Sequence, residues 1–200
     1  MKLGQPGYSN AELEAAEKKW RFVFPPDYKR FLLKYRPEGD QIVDWVRSKD
    51  EEIQERLDWP LSSILFDIKN GFWIKTWPKK PESIAQRKEL TIALISEAPK
   101  LIPVFGHRYI PDRPSINGNP ILSVYQLDII IYGTSLYDYF KRDHNIKIDR
   151  EFKFEAVEPI PFWSDILDPD NHDGTDFYAS QTYNDFLGKL QTSIGKTNET

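Results

Sequence analysis

Side chains able to do chemistry are sparse in this 200-residue chain, and they gather in two stretches. The first is Gly106-His107-Arg108-Tyr109-Ile110-Pro111-Asp112-Arg113-Pro114, which reads as part of a long, proline-stiffened loop running to Asn119-Pro120. Long ordered loops carry binding and catalytic residues more often than the elements they join. An imidazole exchanges a proton near neutral pH, so His107 could act as a general base, oriented by Asp128 or Asp112, with Arg108 holding an anion. The same residues could equally anchor the loop, with His107 and Arg108 bonding to carbonyls and pairing with acids. A third reading makes His107, Arg108 and Tyr109 part of a binding surface. One histidine without a nucleophile motif is thin ground for an active site.

The second stretch is acidic. Between Lys153 and Lys189 there is no Lys or Arg, while Glu155, Glu158, Asp165, Asp168, Asp170, Asp173, Asp176 and Asp185 are all present. Such a run reads either as a solvated, partly flexible extension or as a patch that meets a basic partner protein. Asp168-Pro169-Asp170-Asn171-His172-Asp173-Gly174 invites a calcium-loop reading. The register fails, because Asp173 stands where Gly is required and Ala179 where the bidentate Glu belongs.

Charge and composition narrow the classes further. Residues 1–100 hold 18 Lys/Arg and 16 Asp/Glu, and residues 101–200 hold 9 and 15, so the net charge of −4 comes from the second half. That balance gives no broad basic field for nucleic acid. Trp59, Trp73, Trp77 and Trp163, interleaved with Lys69, Lys75, Lys79 and Lys80, are more simply core aromatics than a single-strand platform. The absence of cysteine removes disulfides, a thiol nucleophile and Cys-ligated metals. Phosphate-loop, dinucleotide-binding, zinc-protease and nucleophile-elbow signatures are also missing, and no cofactor or metal is expected. No apolar run approaches the roughly 20 residues of a membrane helix, and the N-terminus lacks the apolar core of a signal peptide. A cytoplasmic protein is expected.

The elements that must position these residues start with helices. Ser9-Asn10-Ala11-Glu12 has capping-box spacing and opens a helix with Leu13, Ala16 and Trp20 on one face. Pro25-Pro26 restarts the chain, and Tyr28, Phe31, Leu32 and Tyr35 follow at helical spacing. Residues about 43–57 read as a charged helix with Val46, Ile53 and Leu57 inward. The runs Ser63–Ile68 and Phe72–Trp77, separated by Lys69-Asn70-Gly71, carry the strongest short hairpin signal. A helix is expected over Glu82–Ala98, strands over Leu101–Phe105, Ile121–Tyr125 and Ile129–Tyr132, a short helix over Ser135–Arg142, and a strand over Glu151–Val157. Residues 186–200 read as a polar, frayed end. Helices lead and strict βαβ alternation is missing, which predicts an α+β fold: N-terminal helices packed on a mixed, largely antiparallel sheet.

Several blocks together resemble the SMI1/KNR4 (SUKH) family. Phe24-Pro25-Pro26-Asp27-Tyr28-Lys29-Arg30-Phe31-Leu32 is similar to its N-terminal signature, with Phe24 in place of the usual Leu. Four further segments resemble a bacterial branch: Trp59-Pro60 with Ile64-Leu65-Phe66-Asp67; Gly71-Phe72-Trp73; Leu101 through Pro111; and Gly118-Asn119-Pro120 leading through Ser123–Gly133. Pro161-Phe162-Trp163-Ser164-Asp165 fits the C-terminal end. The resemblance spans about residues 11–167 and places a single domain over 1–167, with 168–200 as an acidic extension. It implies the same α+β fold and no catalytic residues. It further implies either an immunity protein that neutralises a cognate toxin, often a nuclease, by direct binding, or a general scaffold of the fungal kind. A non-enzymatic protein-binding domain is therefore the expectation. Its partner face would comprise Glu155, Glu158, Asp165, Asp168, Asp170, Asp173 and Asp176 together with His107, Arg108 and Tyr109. A general scaffold or a cryptic hydrolase using His107 stands as the alternative.

Overall fold

The computed structural model describes residues 1–144, 157–168 and 172–173. Helix α1, Asn10–Trp20, begins at the expected capping box: the Ser9 hydroxyl accepts from the Glu12 amide at 3.2 Å, and Glu12 accepts from the Ser9 amide at 2.7 Å. Helix α2, Pro26–Lys34, starts on a proline, whose missing N–H costs nothing in a first turn. Leu13 and Ala16 of α1 and Tyr28, Phe31 and Leu32 of α2 are buried at the predicted spacing. A short antiparallel pair, β1 (Lys2–Gly4) and β2 (Arg36–Glu38), brackets the two helices.

The third helix differs from expectation. Residues 43–49 are not helical, with a turn at 45–47, and α3 runs without interruption from Asp50 to Lys69. Ser63–Ile68, expected as a strand, is its second half. Asn70-Gly71, expected as a hairpin turn, is its stop: the Asn70 amide bonds back to the last carbonyls and Gly71 takes φ +98°, the left-handed conformation in which glycine ends helices. The buried residues Ile53, Pro60, Ile64, Asp67 and Ile68 lie on one helical stripe that passes through the proline. Burial of that stripe outweighs the break that Pro60 signals locally. Of the expected second hairpin strand, only Trp73–Ile74 (β3) is extended.

Helix α4, Ile84–Glu97, is capped by Ser83 and followed by the central sheet. Strands β4 (Leu101–Phe105), β5 (Arg108–Pro111), β6 (Ile121–Tyr125) and β7 (Asp128–Gly133) pair in sequence order, antiparallel at every described pairing. Strand β5 lies inside the segment expected to be loop, so the long loop shortens to a tight turn at Gly106-His107 and a second connection over 112–120. Helix α5 is Leu136–His144 and α6 is Trp163–Leu167. The expected strand over 151–157 and the frayed 186–200 lie outside the described residues, except Val157, which is not extended in a strand. Strand β8, His172–Asp173, pairs with β3, and the His172 ring meets the Ile166 carbonyl at 2.7 Å. Ordered pairing therefore continues past residue 167.

The fold is α+β. Both faces of the central sheet are covered, which explains why β4 and β6 read as nearly continuous apolar runs rather than alternating ones. Ile102, Val104, Ile110 and Ile121 point into one core with α1, α2 and α5; Leu101, Tyr109, Leu122 and Val124 point into a second with Trp73, Trp77 and Trp163. Helix α3 serves both, with Ile53 in the first core and Ile64 and Ile68 in the second. Among the described residues no helix is long and apolar enough to cross a membrane.

Candidate functional site at the turn end of the sheet

The turns β4–β5 (Gly106-His107) and β6–β7 (Gln126-Leu127) open at the same end of the sheet, joined by the Val124 amide donating to the His107 carbonyl at 2.9 Å. Helix α3 crosses this end and is tied to it at four points. Arg56 Nη1 donates to the Gly106 carbonyl at 3.4 Å, and Tyr109 Oη donates to the Arg56 carbonyl at 2.9 Å. Trp59 Nε1 donates to the Val124 carbonyl at 2.9 Å, and the Leu127 amide donates to Asp67 Oδ2 at 2.8 Å.

One of these ties follows directly from covalent chemistry. A proline inside a helix deprives the carbonyl four residues earlier of its N–H donor. For Pro60 that carbonyl belongs to Arg56, and the phenol of the fully buried Tyr109 supplies the missing donor. The proline and the tyrosine, 49 positions apart in the sequence, are thus a matched pair.

The three consecutive residues expected to act together have separate positions. Tyr109 is core. Arg108 donates to Ser123 Oγ at 2.8 Å and lays its guanidinium 3.6 Å from the Tyr132 ring centre, a cation–π contact. His107 is exposed in the turn, its ring edge-on to Tyr125 with centres 6.2 Å apart and without a hydrogen-bond partner among the described residues. Desolvation where the ring meets the cleft wall, followed by the charges of Arg108 and Arg56, pushes its pKa down to about 4. The imidazole is therefore neutral at pH 7.

Neither carboxylate expected to orient His107 does so. Asp112 accepts from the Lys100 amide at 2.8 Å at the other end of β5, and Asp128 makes no hydrogen bond to the ring. Burial raises the pKa of both. The general-base arrangement read from the sequence is not assembled here. Among the described residues no cluster of three His, Asp or Glu could hold a metal.

The acidic residues lie elsewhere. Glu158 and Asp168 are exposed and Asp165 is half-buried in α6, flanking the buried Trp163 and Ile166; Asp173 enters β8 through its backbone. Glu155, Asp170 and Asp176 lie outside the described residues. No hydrogen bond or ion pair joins the described acids to His107, Arg108 or Tyr109.

What the turn end does assemble was not legible as a motif. Gln41, Arg56, Trp59, Gly106, His107 and Tyr125 line a cleft of about 220 Å³. Across His107 and Gln41 lies a second, of about 270 Å³, walled by Phe105, Arg108, Tyr139 and Asp143. Gly106 makes the close approach possible: it sits at φ +55°, and a Cβ there would stand 2.8 Å from Gln41 Oε1. The Gly106 amide also donates to the Gln41 carbonyl at 2.8 Å, which fixes the loop over the turn. A larger cleft of about 550 Å³ near β1 has much of its charge already paired, Arg36 with Asp44 at 2.9 Å and Glu12 with Ser9.

No protein-family model, curated protein or solved structure matches the chain.

Proposed function

We propose that this chain is a non-enzymatic protein-binding domain of the SMI1/KNR4 kind, acting as an immunity protein that neutralises a cognate toxin by direct contact. The observation that carries the reading is the turn-end cleft. Trp59, 37% exposed, stands with Tyr125, His107 and Arg56 on a frame of four hydrogen bonds. Tryptophan, tyrosine and arginine held rigidly around a partly desolvated pocket have the composition of binding hot spots. The neutral, carboxylate-free His107 beside them suits contact better than proton transfer. The ordered blocks of sequence resembling the family and the α+β architecture are consistent with this reading.

The acidic stretch plays a different part in it. Charge of one sign at the periphery speeds encounter and selects partners more than it sets affinity. Glu158, Asp168 and the acids that follow would steer a basic toxin surface, while the cleft anchors it. In the cell the domain would work in the cytoplasm, where such a toxin must be met.

Titrating toxicity tests the proposal. The chain is co-expressed at graded levels with toxin-like proteins encoded beside it. Protection that saturates at one equivalent, with a stable complex recovered, is expected. Protection at far below one equivalent would indicate turnover, and complete absence of protection would overturn the immunity reading.

A further inference from the structure

We propose that the cleft between Gln41, Arg56, Trp59, His107 and Tyr125 is a carboxylate-recognition pocket that receives an acidic side chain of the partner. The inference rests on the protein-binding reading above and adds the chemistry of what is bound.

Three polar groups converge on the cleft with hydrogen-bonding capacity to spare. The Arg56 guanidinium has five N–H donors and makes one long bond, 3.4 Å to the Gly106 carbonyl; no carboxylate among the described residues pairs with it. The Gln41 side-chain amide makes no hydrogen bond among the described residues, and the neutral His107 ring offers one N–H. In a chain with 31 Asp and Glu, this cleft is lined by none. A guanidinium left without a counter-ion beside two further donors is complementary to a carboxylate, which accepts at both oxygens. The indole of Trp59, whose own N–H is committed to Val124, provides an apolar wall that limits water and strengthens a charged contact.

Size and contrast select the ligand. At about 220 Å³ the space is below the roughly 300 Å³ at which cofactor and nucleotide pockets begin, and it fits one side chain. The neighbouring cleft has similar dimensions but sets Asp143 opposite Arg108, so a carboxylate entering there would meet a like charge. Inorganic phosphate shares the anionic chemistry. The cleft nevertheless has a single guanidinium among its lining side chains, and its Gly106 amide is already committed to the Gln41 carbonyl, which favours the planar, singly charged group.

The full chain is titrated with two acetylated, amidated tripeptides, Gly-Glu-Gly and Gly-Gln-Gly, and with inorganic phosphate, while NMR follows the Trp59 indole and His107 ring signals. Saturable shifts with the Glu peptide, at least about tenfold tighter than with the Gln peptide, are expected; a charge-assisted contact to arginine contributes on that scale. Arg56→Gln should abolish the discrimination, and Arg56→Lys should retain part of it. If Arg56→Gln melts early, Gln41→Ala is the second variant, expected to weaken the Glu peptide selectively. Equal binding of the two peptides, tighter binding of phosphate than of the Glu peptide, or no saturable shift would each overturn the carboxylate assignment. An Arg56→Gln chain that still protects fully against the toxin would do the same while leaving the protein-binding reading in place.

Discussion

The turn end of the sheet and the acidic stretch carry charge in opposite ways. At the turn end, Gln41, Arg56, Trp59, His107 and Tyr125 are scattered over 85 positions of sequence and converge on one cleft. In the acidic stretch the charges are crowded in sequence. The described ones spread to either side of buried Trp163 and Ile166, and Asp173 is drawn into a strand pairing. Density along the chain therefore says little about density in space. Convergence needs a rigid frame, here a continuous helix, α3, laced across two turns, whereas a run of like charges repels itself and needs none.

The frame can be tested at its buried acid. Asp67 is 2% exposed, with Oδ2 bonded to the Leu127 amide and Oδ1 without a partner. Burial raises its pKa to about 6 against an ordinary 3.8. The native state then holds a proton more tightly than the unfolded chain, so its contribution is fully present below about pH 4 and declines as pH rises through about 6. Asp67→Asn removes this dependence: the stability of the variant relative to wild type should grow by at most about 3 kcal/mol between pH 4 and 7. Melting curves that stay parallel across that range would refute a buried, desolvated carboxylate.

A somewhat smaller effect is expected at the matched proline and tyrosine. Tyr109→Phe leaves the Arg56 carbonyl without a donor, at a cost of about 1–3 kcal/mol measured by chemical denaturation. In a Pro60→Ala background the helix regains its own N–H, so the cost of Tyr109→Phe should fall. Additivity of the two substitutions would mean that the phenol does not substitute for the missing amide.

Smaller again is the His107 titration. Its ring should stay neutral down to a midpoint near pH 4, against an ordinary 6.5, because desolvation and the neighbouring Arg108 and Arg56 disfavour the cation. Arg56→Gln should move the NMR midpoint upward. A midpoint that stays put would remove Arg56 from the immediate surroundings of the ring. Least of all, replacing the exposed Glu158 by Gln should change stability by no more than about 0.5 kcal/mol, the range usual for exposed sites. A larger loss would make this acid part of the frame.

How much of this was legible follows from how local each signal is. The Ser9–Glu12 cap, the Pro26 start and the alternation-free strands of the sheet are set within a few residues, and they stand where the sequence places them. The first turns of helix α3 fall within the helix expected over about 43–57, but its continuation to Lys69 does not, because Pro60 and Asn70-Gly71 each argue locally for a break. The stripe from Ile53 to Ile68 is buried only against partners far along the chain. Strand β5 was hidden for the same kind of reason: four residues ending in proline read as loop until β4 and β6 flank them. His107 was found from its type. Arg56, Trp59 and Gln41 were not, because the hydrogen bonds that bring them to the turn span 50 to 65 positions.

Partner kinetics decide between the two regions most directly. With a partner protein recovered from co-expression immobilised, association and dissociation rates are measured for wild type, for Trp59→Ala, and for the chain with Asp168, Asp170, Asp173 and Asp176 changed to Asn. An anchoring cleft predicts that Trp59→Ala mainly speeds dissociation, by about 30-fold for a hot-spot residue. A steering stretch predicts that the acidic variant mainly slows association and flattens its salt dependence. Faster dissociation in the acidic variant, with Trp59→Ala indistinguishable from wild type, would place the anchor in the acidic stretch and contradict the account.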